Sequence, residues 1–482
     1  METTDTRIAL GTMLLLLLFS LHYLSIAEVI YSPDELLSIN CGSSTNFSTP
    51  DGRNWTGDIN FLRDESRVNS VAAPALTPST IQGPYTYARL SHSQFTYSFP
   101  VSPGPKFLRL FFYSTSYQNF DRTNAYFSVK FGPYTFTLLQ DFNASLNADV
   151  DNDPGHPYIL FREYCINIRE GHWLDITFIP TITAQHQDSY AFINGIEIVS
   201  MPPFLYYTNP DDYARVPQLV GTQSQYTIEN SSALETKYRL RVGDAEIPAS
   251  QDTGMLRSWD VDNKYVTTQS VLSLDIGTRA KLRFAKQTPN YTAPDQVYRS
   301  SRNMGSNGTN NMGFNLTWQL PVDSGFTYLL RLHFCQLDPE INNPGDLSFF
   351  IFVQDQLVED WADVLAWSDK QKGVPVVRQY AVLNPGNQQE TVNLSLKMHP
   401  NPKSLAKDAQ INAIELFKIS DSKFNLAGPN PDSHPKTSEI PHPSSNKKTK
   451  GSTKTLIAAV AGAVSGVVLV SFIAILIKHR KN

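Results

Sequence analysis

Cysteine is scarce: 482 residues carry three, Cys41, Cys165 and Cys335. That count excludes a disulfide-built scaffold and a four-cysteine zinc site, and being odd it leaves at least one thiol unpaired. A Cys41–Cys165 bridge stays open; free buried thiols acting as small hydrophobes are the preferred reading. An excess of one charge is missing too. Forty Lys and Arg against 45 Asp and Glu give a net charge of −5, which excludes a nucleic-acid binder held by bulk positive charge. Long amphipathic helical patterns are rare. No G-x-S-x-G elbow, HExxH pair, phosphate-binding loop or kinase motif occurs. The ten histidines are scattered without metal-ligand spacing, and His333, mid-strand, is expected to be packed or surface-exposed. No enzyme, cofactor or metal is expected.

What is abundant points to strands. Aromatics make up 11% of the chain, and 31 prolines outnumber 25 glycines, favouring short strands joined by Pro-marked turns. Phe107–Tyr113, Tyr126–Phe131, Trp173–Ile179, Tyr328–Phe334 and Leu347–Val353 all read as strands, and an all-β sandwich class follows. The two ends differ from the middle. Residues 1–27, with Arg7, a leucine run and Ser25-Ile26-Ala27, read as a signal peptide. Residues 456–477 are apolar and uncharged, enough to cross a bilayer core of about 30 Å as a helix. Type I topology is expected, with 28–455 outside and 478–482 inside. A five-residue tail holds no kinase, so any signal is expected to pass laterally through partners. Residues 421–455, rich in Pro and Lys, read as an extended juxtamembrane stalk. Within the span, Ala458, Gly462 and Gly466 are spaced four apart, the pattern that lets two helices approach closely in lipid.

The middle repeats itself. Ala191-Phe-Ile-Asn194-Gly-Ile-Glu197 recurs as Ala409-Gln-Ile-Asn412-Ala-Ile-Glu415, and Phe107-Leu-Arg109-Leu-Phe-Phe112 as Leu329-Leu-Arg331-Leu-His-Phe334. Arg53-Asn-Trp55 pairs with Arg257-Ser-Trp259 in the same order. Two copies of one β domain are expected, A over 28–202 and B over 236–420, joined by a linker at 203–235.

At these residues the chain resembles the plant malectin-like receptor kinases of the FERONIA/THESEUS type. The motifs are Ile39-Asn-Cys-Gly-Ser43, Phe95–Pro100, Phe127–Pro133 and Ala191–Pro202 in A, then Tyr238–Gly243, Asp252-Thr-Gly254, Arg257-Ser-Trp259 and Asp323–Cys335 in B, with Asn425–Pro431 beyond. The resemblance implies two tandem malectin-like β-sandwiches on a single-pass plasma-membrane protein. It also implies ligands: secreted cationic peptides of the rapid-alkalinization type, bound with a GPI-anchored co-receptor, and pectic polysaccharide. With no kinase after the span, a ligand-binding decoy or co-receptor beside a full-length receptor kinase is expected. The alternatives are a carbohydrate-binding wall tether and a truncated receptor kinase.

Candidate sites follow. In the animal lectin malectin, loop aromatics at the sandwich edge stack on sugars; the comparable stretch runs Tyr113 to Phe120, with Tyr117 the best-placed ring. Aromatics at strand ends usually cap cores, however. Residues 28–200 hold ten basic against seventeen acidic side chains, whereas 201–455 balance at 26 each, making A the acidic half. In B, Lys237, Arg239 and Arg241, and again Arg279, Lys281 and Arg283, alternate with period two. Each set is expected to line one strand face, which is usually a solvated one. The second set is the candidate for pectin. Eight glycosylation sequons are present, at Asn46, Asn54, Asn143, Asn230, Asn290, Asn307, Asn315 and Asn393.

Overall fold

The computed structural model describes residues 31–76, 83–132, 136–151, 158–169, 171, 173–268, 272–275, 281–386 and 390–431. The signal peptide, the 456–477 span and most of the stalk lie outside them. Among the described residues, no helix is long and apolar enough to cross a membrane.

Alternation builds the fold. In the strand Gly104–Tyr113, Leu108, Leu110 and Phe112 point into one core while Phe107, Arg109 and Phe111 face the other way. Against that core lies a four-stranded sheet of Phe95–Phe99, Leu174–Pro180, Tyr126–Phe131 and Phe136–Asn143. Tyr97, Phe127, Val129 and Phe178 from it complete the first sandwich. The second copy repeats the plan. Leu330, Leu332 and Phe334 pack against Trp318, Leu320, Ile351 and Leu394 from the sheet of Leu316–Asp323, Thr391–Pro400, Phe349–Val353 and Gln356–Ala362.

The two copies share one sheet. Leu234–Arg241 opens the second repeat and pairs antiparallel with Ile159–Ile168 of the first through Tyr164–Glu235 and Cys165–Leu234. A twelve-stranded sheet therefore runs through both sandwiches. Its outer face, which alternation alone would leave wet, is covered by the connecting segment. Leu205, Tyr206, Tyr207 and Ile228 bury Phe107, Cys165, Leu329 and Phe417 in a third cluster drawn from both copies. The connection is a structural layer. All three cysteines are buried and free.

One sequence expectation fails at the end of the second repeat. Residues 421–431 are not an extended stalk. Phe424 accepts from Thr137 N–H at 3.0 Å, and Leu426 donates to the Thr137 carbonyl at 2.9 Å, so the chain returns from B to dock on A. Leu426 is fully buried in the first core. The Asn430 side chain accepts from Asn143 N–H and donates to the Asp141 carbonyl. Leu426, Phe424 and the Asn430 amide fasten this Pro-rich run to the first repeat.

Candidate functional site: the cleft between the repeats

Where the shared sheet joins the copies, arginine and glutamate alternate across the strands. Arg53 meets Glu197 at 2.7 Å, Glu197 meets Arg109 at 2.6 Å, and Arg109 meets Glu163 at 2.7 Å. Glu163 meets Arg239 at 2.9 Å, Arg239 meets Glu415 at 3.2 Å, and Glu415 meets Arg331 at 2.7 Å. Strand register puts them in a row, since Arg109 lies opposite both Glu163 and Glu197, and Glu415 opposite both Arg239 and Arg331. Every member is buried. Aromatic rings flank the guanidinium groups: Phe107 lies 4.8 Å from Arg109, and Tyr206 4.8 Å from Arg331.

Burial alone would raise these carboxyl pKa values. The facing guanidinium groups win, holding Glu163 down at about 2 and Glu415 well below the ordinary carboxylate range. His333 lies at the same end, fully buried, between the Tyr298 hydroxyl at 3.0 Å and Glu415 at 3.0 Å. Burial pushes its pKa below the usual value, so it stands neutral and donates from Nε2 to the carboxylate.

Glu163 and Arg239 also form part of the wall of a cleft of about 540 Å³ between the sandwiches. A second charged group lines it. Lys418 lies 2.8 Å from Asp323 and also pairs with Glu235, while Lys237 lies 3.5 Å from Asp323 and 3.6 Å from Glu235. Burial would again raise Asp323, but Lys418 and Lys237 hold it at about 2. The returning segment Gly428–Pro431 supplies another wall. Gly428 packs closely there: a Cβ would sit 2.5 Å from the Asp323 carboxylate and push it off its lysines. Asp151 and Asp260 lie toward solvent in the lining. Asp151 lies 3.6 Å from Arg162, which also lines the cleft, so the cleft offers paired internal charges and a rim with two acids to one base.

The sequence candidates fall elsewhere. Tyr117 is 0% exposed, and its hydroxyl donates to the Tyr113 carbonyl at 2.7 Å. Asn194 donates to that hydroxyl at 3.0 Å. With both faces packed, Tyr117 has none to offer a pyranose, which overturns it as a stacking residue. Tyr113 is buried as well, and Phe120 stacks on His92 at 4.8 Å. The first basic stripe is not a solvated face either. A bulge between Thr236 and Tyr238 breaks its period, Arg239 is buried in the charge row, and Arg241 donates to the Ala245 carbonyl. Of the second, Arg279 lies outside the described residues. Lys281 and Arg283 are exposed but belong to no strand; Arg283 N–H meets the Gly373 carbonyl and its guanidinium the Lys372 carbonyl at 3.4 Å. Ala458, Gly462 and Gly466 are outside the described residues. Six sequon asparagines are exposed; Asn143 and Asn290 are half-buried.

Sequence reasoning found the repeat but missed what it encodes. Asn194 and Asn412 do the same work: each accepts a strand N–H, from Tyr113 and Cys335, and donates to carbonyls, of Tyr87 and of Tyr298 and Ser300. The Glu three residues on is the acid of the charge row. Charged residues recurring at matched places inside apolar strands were the available signal.

The malectin-like domain family matches residues 39–419. The chain belongs to that family. This malectin-like chain is 40% identical to the receptor-like protein kinase FERONIA of Arabidopsis thaliana, over 98% of itself and 52% of FERONIA. It spans about half the length of the curated relatives it matches, and their kinase half is not in it. Among solved structures, the plant receptor-like kinase FER superposes with a TM-score of 0.73 at 38% identity, covering 82% of this chain and 99% of that one. A crystal structure of the plant peptide RALF23 with FER and LLG2 gives a TM-score of 0.72 at 38% identity, covering 83% and 99%.

Proposed function

We propose that this chain is the ligand-recognising part of a plasma-membrane receptor-like protein, and that the acidic rim of the cleft receives a small secreted cationic peptide together with a GPI-anchored co-receptor. The likeness to FER, a protein solved with a peptide and LLG2, carries this reading. Geometry supports it: carboxylates of the two repeats, Asp151 and Asp260, lie toward solvent beside the apolar Val150 and Phe161, which are 54% and 41% exposed. Such a surface attracts a cation and gives it apolar area to cover. Replacing Asp151 and Asp260 by Lys should weaken calorimetric binding of a cationic peptide about tenfold, roughly 1.4 kcal/mol, and flatten its salt dependence. An unchanged affinity would remove the cleft from the reading.

We place the 482-residue chain beside a full-length relative, where it competes for peptide by mass action and pairs through Ala458, Gly462 and Gly466. Overexpression should lower peptide-triggered responses in cells carrying the full-length receptor, and Gly462→Leu with Gly466→Leu should relieve only the pairing part. A raised response would instead identify a co-receptor that presents ligand.

A further inference from the structure

A smaller pocket of about 100 Å³ lies away from the cleft, at the end of the first repeat's hairpin. Its floor is aromatic: Phe131 and Phe136 stack at 4.7 Å, and Phe424 meets Phe136 edge-on at 4.8 Å. Phe424 holds a left-handed backbone with φ of 60°, a conformation bulky residues rarely adopt unless the surrounding structure requires it. Trp173 lines the pocket and is 56% exposed. Phe131 and Phe136 are buried beneath it, so Trp173 and the 39% exposed Phe424 are the two rings that face water here, an apolar spot open to a cover.

The wall of the pocket names the cover. Asn230, Ser231 and Ser232 line it and form a sequon. Asn230 is exposed, and its side chain makes no hydrogen bond among the described residues. The backbone on either side of it is tied down: Ser232 N–H donates to the Glu229 carbonyl, Ala233 N–H to Ser420, and the Tyr207 hydroxyl to the Ser232 carbonyl. A sugar attached there starts at the rim of the pocket, on a rigid mount.

We propose that the pocket seats the first sugars of an N-linked glycan carried by Asn230, an N-acetylhexosamine whose C–H face lies on Trp173 and whose acetamido arm enters between Phe131 and Phe424. The modification forms a bond from the Asn230 amide nitrogen, which loses a proton, to C1 of a sugar on a lipid diphosphate. The C1–O bond breaks, and the diphosphate leaves with the electron pair. The pocket volume is several times what one water needs on the same measure, enough for the small arm, while the flat sugar ring lies outside it on Trp173. Bound so, the glycan covers apolar area and ties together the connecting segment, the returning segment and the first sandwich. The inference rests on the secretory reading above.

The test uses the full chain made in a secretory eukaryotic cell, with site-by-site glycopeptide mass spectrometry and timed amidase release from the native protein. Asn230 should be occupied, and its glycan released several-fold more slowly than those on Asn307 and Asn393. Trp173→Ala should bring it level with them. Ser232→Ala removes the glycan alone; it should raise iodide quenching of tryptophan fluorescence and lower the unfolding temperature, which keeps the inference testable should Trp173→Ala not fold. Occupancy elsewhere but not at Asn230 overturns the inference alone, as does release at the common rate or unchanged quenching. No occupancy at any sequon overturns the secretory reading and the inference with it.

Discussion

Replacing Glu415 by Ala is expected to cost the folded state about 3–5 kcal/mol, the range for breaking a buried ion pair from one side. The carboxylate is 0% exposed and accepts four hydrogen bonds: from Arg331 at 2.7 Å, Tyr206 at 2.8 Å, His333 at 3.0 Å and Arg239 at 3.2 Å. Without it, two buried guanidinium groups face each other with no anion between them. Glu415→Gln should cost less, because an acceptor remains in place, yet still leave a net positive charge in the interior. An exposed pair sets the scale. Asp355, whose side chain is 73% exposed, pairs with Lys397, and Asp355→Asn, which keeps its left-handed backbone of φ 60°, should shift stability by less than about 1 kcal/mol. Denaturant unfolding of the three variants decides it; a loss at Glu415 no larger than at Asp355 would mean the row is not what locks the sheet.

Acid should unfold this protein through the same groups. Glu163 falls from an ordinary 4.5 to about 2, and Asp323 from 3.8 to about 2, because facing cations outweigh the burial that would raise them. Glu197, Glu235 and Asp252 are lowered for the same balance of reasons. A depressed folded pKa means the unfolded chain binds protons first. Their stabilisation is therefore complete above the ordinary values and is lost as pH falls through that range toward about 2. Asp408 runs the other way. Burial pushes it from 3.8 up to about 6, so its contribution is complete below the ordinary value and is lost as pH rises through about 6. Stability should peak on the acid side of neutrality and drop steeply below about pH 4. A denaturant midpoint that stays level between pH 5 and 3, by rough steps across that window, would contradict this. Glu163→Gln should shallow the acid fall while lowering the plateau.

How far the sequence reaches can be judged residue by residue. Alternation in Phe107–Phe112 and Leu329–Phe334 is enough to call strands, because one face carries leucines and phenylalanines in both copies. The copies align through their motifs. What alternation does not carry is the fate of the second face. Arg109 and Arg331 alternate with those apolar residues, and the packing of Tyr206 and its neighbours from the connecting segment turns that face into an interior. Tyr117 fails as a sugar-stacking residue for a related reason: its hydroxyl partner, Asn194, is 77 residues away, beyond any local pattern. Lys281 and Arg283 fail because a period of two is not sufficient for a strand; among the described residues no partner strand reaches them. The returning segment was masked by its prolines, although Phe424 and Leu426 stand out in a polar run.

The joint between the copies also bears on how such a chain can be cut and recombined. Glu163 belongs to the first repeat and Arg239 to the second, yet each is the other's counter-ion. Excising one copy, or swapping it alone for a distant relative's, would cost Glu163 or Arg239 one of its two partners, leaving Glu163 with Arg109 and Arg239 with Glu415, and would open the buried row at the cut unless the incoming copy brought the matching residue in register. Two copies by sequence thus share one continuous row of charge across their joint.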